Sequence, residues 1–138
     1  MARSVIRSYQ HLVWATFKRQ PLLTAQVEPI ILASFADTCK RLDLELLAAN
    51  GAWDHVHLLV RWSGEHCYQD VVGELKSRAW RACREAAEED PLLPAAPRWQ
   101  RGYAVFSIRE GEVATVRRYI RRQKLHHQRP ASLCDELE

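Results

Sequence analysis

Two apolar runs, 44–49 and 55–62, stand either side of Asn50-Gly51, a pair that strongly favours a tight hairpin turn. An antiparallel strand pair in the middle of the chain restricts what its flanks can do. Upstream, residues 11–17 (His-Leu-Val-Trp-Ala-Thr-Phe) are aromatic and β-branched and read as a first strand. Thr24 is a suitable N-cap, and Val27, Ile30, Ile31, Phe35, Thr38 and Leu42 follow at helical spacing, with Pro29 in the first turns. That pattern predicts a helix of about 19 residues. Downstream, Ser63-Gly-Glu breaks the strand, and Val71, Val72, Leu75, Ala79, Trp80, Cys83 and Ala87 mark one face of a helix over 68–88. Three prolines between 90 and 97 exclude a helix and predict a connector. A fourth strand over 103–108 and a third helix over 110–127 complete the chain. The order β-α-β-β-α-β-α predicts an α+β, ferredoxin-like fold, a four-stranded antiparallel sheet with two helices on one face and an added C-terminal helix.

With 138 residues and no break in composition, the chain is expected to form one domain over 1–138 that buries a real core without covalent staples. Cys39, Cys67, Cys83 and Cys134 are far apart and form no CxxC pair, against both a disulfide framework and a thiolate zinc site. The start is polar and no segment nears the ~18 apolar residues of a membrane span, so no membrane partner and a cytoplasmic location are expected. The net charge is only +3, so an argument for nucleic acid must rest on where the charge sits.

Chemistry concentrates in Asp54-His55-Val56-His57. Strand side chains alternate, so His55 and His57 share a face. They can converge on a metal ion or simply be two partly buried, hydrogen-bonded histidines. In the third helix Tyr119 and Gln123 are four apart and stack on one face, where Gln offers a neutral carbonyl oxygen beside a phenol. Two imidazoles and an amide oxygen do not suit structural zinc, whereas an open, oxygen-friendly site fits Mg²⁺ or Mn²⁺ bound together with a phosphate. Tyr119 on its own would be an amphipathic helix tyrosine, and it is the pairing with Gln123 that gives it weight.

These motifs, in this order, resemble the bacterial insertion-sequence transposases of the single-tyrosine, His-hydrophobic-His class, the IS200-like group. The resemblance is carried by His11-Leu-Val-Trp-Ala-Thr with Lys18-Arg19-x-Pro-Leu-Leu, by Asp-His-Val-His-Leu-Leu-Val at 54–60, and by Leu75-Lys76-Ser77-Arg78. It continues in Trp99-Gln100-x-Gly102-Tyr103 with Phe106-Ser107, and in Tyr-Ile-x-x-Gln ahead of His-His at 119–127. It implies a strand transferase acting on single-stranded DNA at hairpin-bearing transposon ends. It further implies that His55, His57 and Gln123 hold one divalent ion, and that Tyr119 attacks the scissile phosphate to leave a 5′-phosphotyrosine and a free 3′-hydroxyl. A homodimer is implied as well, with the tyrosine helix of one subunit completing the site of the other, on the nucleoid when bound to DNA. One departure is that Trp53 precedes Asp54 where many relatives carry proline, which bears on the hairpin and leaves the ligand positions in place.

Basic residues support contact with DNA. Arg117, Arg118, Arg121, Arg122, Lys124 and Arg129 crowd the third helix and its end without an acidic residue among them, a density that attracts phosphate. Lys76 and Arg78 form a weaker set on the second helix, and Lys18 and Arg19 follow the first strand. A rival reading is a domesticated or inactive relative that acts as a nucleic-acid-binding module, since a ferredoxin-like sheet with aromatics also binds RNA. Such a module has no use for His-x-His with Tyr-x-x-x-Gln. A relaxase or replication initiator would share the chemistry, and the short chain speaks against it.

Overall fold

The computed structural model describes residues 4–64 and 66–123. Strands β1 (Ser8–Ala15), β2 (Glu45–Gly51), β3 (His55–Trp62) and β4 (Ala104–Ile108) pair antiparallel in the order β2-β3-β1-β4. Helices α1 (Glu28–Arg41) and α2 (Tyr68–Glu89) connect them, and α3 (Val113–Arg121) follows β4. This is the ferredoxin-like arrangement the element order predicts. Among the described residues no helix is long and apolar enough to cross a membrane.

Period-two alternation divides the sheet into two faces. Leu12 and Trp14 of β1 and Val56, Leu58, Val60 and Trp62 of β3 meet Ile31, Phe35 and Cys39 of α1 and Val71, Val72, Leu75, Ala79 and Cys83 of α2. Trp14 is the pivot, with its ring edge-on to both Phe35 and Trp99 at 5.4 and 6.0 Å. The intervening residues, among them His11, Val13, His55, His57 and Leu59, face the other way, where Ile120 of α3 packs on Ala48 and Leu59.

The boundaries differ from the sequence pattern in instructive ways. Thr24 does accept from the Val27 amide, yet it caps only a turn, and α1 begins at Glu28 and runs for 14 residues. After β1 the chain tightens into a single 3-10 turn, Phe17–Arg19, in which Lys18 and Arg19 both hold positive φ. Asn50-Gly51 is not the hairpin turn. Both residues belong to β2, and the reversal is made by 52–54, with Trp53 at φ 63°. Proline, fixed near −65°, cannot take that conformation. Gly51 is instead suited to a close approach, because a Cβ there would stand 3.3 Å from Leu23 and 3.4 Å from Glu28. The third helix is shorter than the pattern suggests at both ends: Glu110–Glu112 forms a 3-10 turn, the helix closes at Arg121 so that Gln123 lies past it rather than stacked on the helical face of Tyr119, and the part expected beyond 123 lies outside the described residues.

Candidate active site

The two histidines of β3 sit side by side on the face away from α1 and α2, with ring centroids 4.9 Å apart. Both are buried, His57 almost completely. His55 Nδ1 donates to Asp54 Oδ1 at 2.7 Å, and the Arg19 guanidinium approaches the other oxygen of the same carboxylate at 3.3 Å. Burial alone would raise the Asp54 pKa, but the His55 hydrogen bond and charge together with Arg19 outweigh it and hold the carboxyl below its ordinary range. It is therefore ionised at neutral pH.

His57 has a different neighbour. Its Nδ1 lies 2.9 Å from Nε2 of His11, which reaches diagonally across from β1. Burial, then the nearby His55 and His11 rings, push the His57 pKa down to about 2, and burial pushes that of His11 down to about 4. Both rings are neutral at physiological pH, the state in which imidazole can ligate a metal.

Helix α3 brings the remaining groups. The Tyr119 ring stands perpendicular to His57 of the same chain, 5.9 Å between centroids. Ile120 is wholly buried and anchors the helix to the sheet. A second tie comes from Asn50, whose Nδ2 donates to the Ile120 and Arg121 carbonyls at 3.1 and 3.2 Å, taking up acceptors that a helix end leaves open. Asn50 reaches them because β2 carries a bulge between Leu46 and Ala48, which shifts the parity of the strand and pairs Asn50 with His57. Gln123, just past the helix, is buried.

A test of fit to a cation follows from the unpaired atoms. Among the described residues no three His, Cys, Asp or Glu side chains assemble into a cation site. The donors on offer are imidazole and amide. His57 Nε2 and Gln123 Oε1 are both buried without a hydrogen-bond partner among the described residues, an arrangement that is costly unless something else satisfies them. An amide oxygen and an imidazole nitrogen so placed, with His55 beside them, suit a hard divalent ion that keeps part of its coordination for water or phosphate.

The basic residues separate into two groups. Arg118, Arg121 and Arg122 are exposed beside Tyr119, Arg117 is half-buried, and Lys18 is exposed in its turn. Lys76 is committed elsewhere, its ammonium donating to the Gln100 and Gly102 carbonyls at 2.9 and 2.8 Å, with burial lowering its pKa to about 8. Arg78 is paired with Glu74 at 2.6 Å, and Arg19 with Asp54. Lys124 lies outside the described residues. Two residues of the site, His11 and Asn50, were assigned no role from sequence. Their signal is register, which period-two alternation alone does not supply.

The chain is similar to known transposases in sequence and in fold. The family profile described as transposase, IS200 like, matches residues 4–123. The ISDra2 transposase TnpA of Deinococcus radiodurans is 25% identical over 114 residues, 82% of this chain and 81% of that protein. A crystal structure of a candidate transposase from Deinococcus radiodurans R1 superposes with a TM-score of 0.66 at 28% identity, covering 89% of this chain and 96% of the other. A REP-associated tyrosine transposase bound to a REP hairpin shares the fold, with a TM-score of 0.64 at 18% identity over 93% of this chain and 73% of that one.

Proposed function

The chain belongs to the IS200-like transposase family, and from that premise we propose that it cleaves and rejoins single-stranded DNA at hairpin-bearing ends through Tyr119. The observation that carries this reading is the placement of Tyr119 against His57, next to two buried polar atoms, His57 Nε2 and Gln123 Oε1, that have no partner among the described residues. In the proposed step the Tyr119 oxygen bonds to the scissile phosphorus as the bond to the 3′ oxygen breaks. The phenol gives up its proton, the departing 3′ oxygen takes one up, and a 5′-phosphotyrosine remains. The linkage keeps the energy of the phosphodiester, so the reverse attack by a 3′-hydroxyl reseals DNA without ATP.

Tyrosine with a reference pKa near 10 is a weak nucleophile at neutral pH, and the reaction needs charge stabilisation at the phosphate. His55, His57 and Gln123 are the residues that would hold Mg²⁺ or Mn²⁺, which would supply Lewis-acid polarisation of the phosphoryl oxygens. Asp54 orients His55, and α3 carries Tyr119 with Gln123 just past its end, so the nucleophile and one donor come from neighbouring positions of one segment. Arg117, Arg118, Arg121 and Arg122 lie beside the tyrosine where they can hold the DNA backbone, with Lys18 as an outlying contact. The resemblance would have this helix complete a partner's site in a homodimer. The ties from Ile120 and Asn50 favour a site assembled within one chain, and a dimer would then carry two self-contained sites.

The test uses labelled hairpin DNA from the flanks of the gene. Incubation with Mn²⁺ should give an SDS-resistant protein–DNA adduct that Tyr119→Phe abolishes and EDTA prevents. An adduct formed by Tyr119→Phe would reject the assignment, and full cleavage in EDTA would reject the metal.

A further inference from the structure

We propose that His11 is a positioning residue that fixes which nitrogen of His57 is bare, keeping the His57 proton on Nδ1 and leaving Nε2 as an open lone pair. The inference rests on the reading of His57 as a metal ligand. It begins from the buried contact of 2.9 Å between His11 Nε2 and His57 Nδ1, which holds a single proton between two neutral rings. If that proton belonged to His11, the proton of His57 would sit on Nε2, as a buried N–H with no acceptor among the described residues. An unpaired buried donor is costly, and a protonated Nε2 cannot ligate. If the proton belongs to His57, its Nδ1 donates to His11 and Nε2 is free to bind a cation.

The neighbouring histidine has the same design with a different partner. His55 Nδ1 donates to Asp54, an ionised carboxylate that only accepts, so in the neutral ring the Nε2 atom of His55 is the bare one. Both rings are thus held by Nδ1 and present Nε2, an orientation set by an outer residue in many metal sites. The chemistry of the two outer residues follows from their surroundings. Asp54 is partly exposed and has Arg19 to balance its charge. His11 is buried in the sheet with Phe106 beside it, 6.1 Å between centroids, where an anion would lack solvent. A neutral imidazole supplies the acceptor without burying a charge.

Two readouts test this. In metal-free protein at neutral pH, long-range ¹H–¹⁵N correlation spectra should show His57 protonated at Nδ1. His11→Leu should move that proton to Nε2 and weaken Mn²⁺ binding, followed by electron paramagnetic resonance of the free ion, by about 10–100-fold. His11→Gln retains an acceptor and should keep both the Nδ1 proton and Mn²⁺ affinity within a few-fold of the wild type. A His57 protonated at Nε2 in the wild type would overturn the proposal, as would a folded His11→Leu protein with unchanged tautomer and Mn²⁺ affinity. If His11→Leu does not fold, the wild-type spectrum and His11→Gln decide, and a Gln variant with the proton on Nε2 and weak binding counts against it. His57→Ala separates this from the underlying reading: undiminished Mn²⁺ binding there would remove His57 as a ligand, whatever the wild-type tautomer shows.

Discussion

The two faces of the sheet are made from the same strands and obey different rules. The face under α1 and α2 is filled by Leu12, Trp14, Val56, Leu58 and Val60, which are apolar and need only fit. The face under α3 buries His11, His55, His57 and Gln123, polar groups whose partners must be right one by one. Since β3 supplies alternate residues to both, neighbouring positions such as His57 and Leu58 answer to different constraints. One face should fail by unfolding, the other by losing chemistry in a folded protein.

The largest expected contrast is between Tyr119→Phe and Phe35→Ala. Tyr119→Phe should reduce adduct formation below detection while thermal unfolding stays close to that of the wild type. Phe35→Ala, deep under the helices, should cost about 3–5 kcal/mol in denaturant unfolding and leave adduct formation per folded molecule intact. Equal losses of activity per folded molecule would erase the distinction between the faces. Next is Asn50→Ala, which frees the end of α3. A shift of the tyrosine helix by about 1 Å can cost 10²-fold in rate, and a loss of that order in single-turnover cleavage is expected with only about 1 kcal/mol of stability lost. Restoration of activity on co-expressing His57→Ala with Tyr119→Phe would show that α3 serves the partner's site and that Asn50 is not its anchor.

Acid separates the faces by a subtler measure. The His11 and His57 pKa values in the fold, about 4 and about 2, lie below the ordinary 6.5, so the unfolded chain takes up protons first as pH falls. Stability from these rings is complete above about pH 6.5 and declines as pH falls through the window toward 4, continuing lower for His57. Urea unfolding at stepped pH should show that decline, and His11→Gln should make it shallower between 6.5 and 4. The smallest effect concerns DNA affinity. Arg121→Ala should reduce the slope of log affinity against log salt by about 0.7 on single-stranded DNA. Lys76→Ala should leave that slope unchanged, because its ammonium is held by the carbonyls of Gln100 and Gly102.

Element order and sheet faces were legible in the sequence because both follow from local periodicity. His55 and His57 share a face for the reason period two demands, and Tyr119 was found through its spacing to Gln123. The partners of these residues were not legible. His11 meets His57 only through the register of β1 against β3, and Asn50-Gly51 looked like a turn because its real determinants, the bulge after Leu46 and the proximity of Gly51 to Leu23 and Glu28, are tertiary. Charge pairing is tertiary in a similar way. Lys76, Arg78 and Arg19 are candidate DNA contacts along the chain, the first two already offset in part by acids such as Glu74, and in the fold they are engaged by carbonyls, Glu74 and Asp54.

The bulge in β2 means that this strand is read in two frames. Leu46 is counted with the core, whereas Ala48 and Asn50 are counted with the opposite face, and the change of frame occurs within one residue. Removing Leu47 alone would take out the extra residue and keep Leu46 opposite Val60 and Asn50 opposite His57, whereas removing Ala49 would bring Asn50 opposite Leu58 and turn it toward the helices, away from the end of α3. A scan of substitutions would never expose this dependence, and a library of single-residue deletions would. Evolution of the strand is bounded in the same sense, free to lose the place of Leu47 and not free to lose one between the bulge and Asn50.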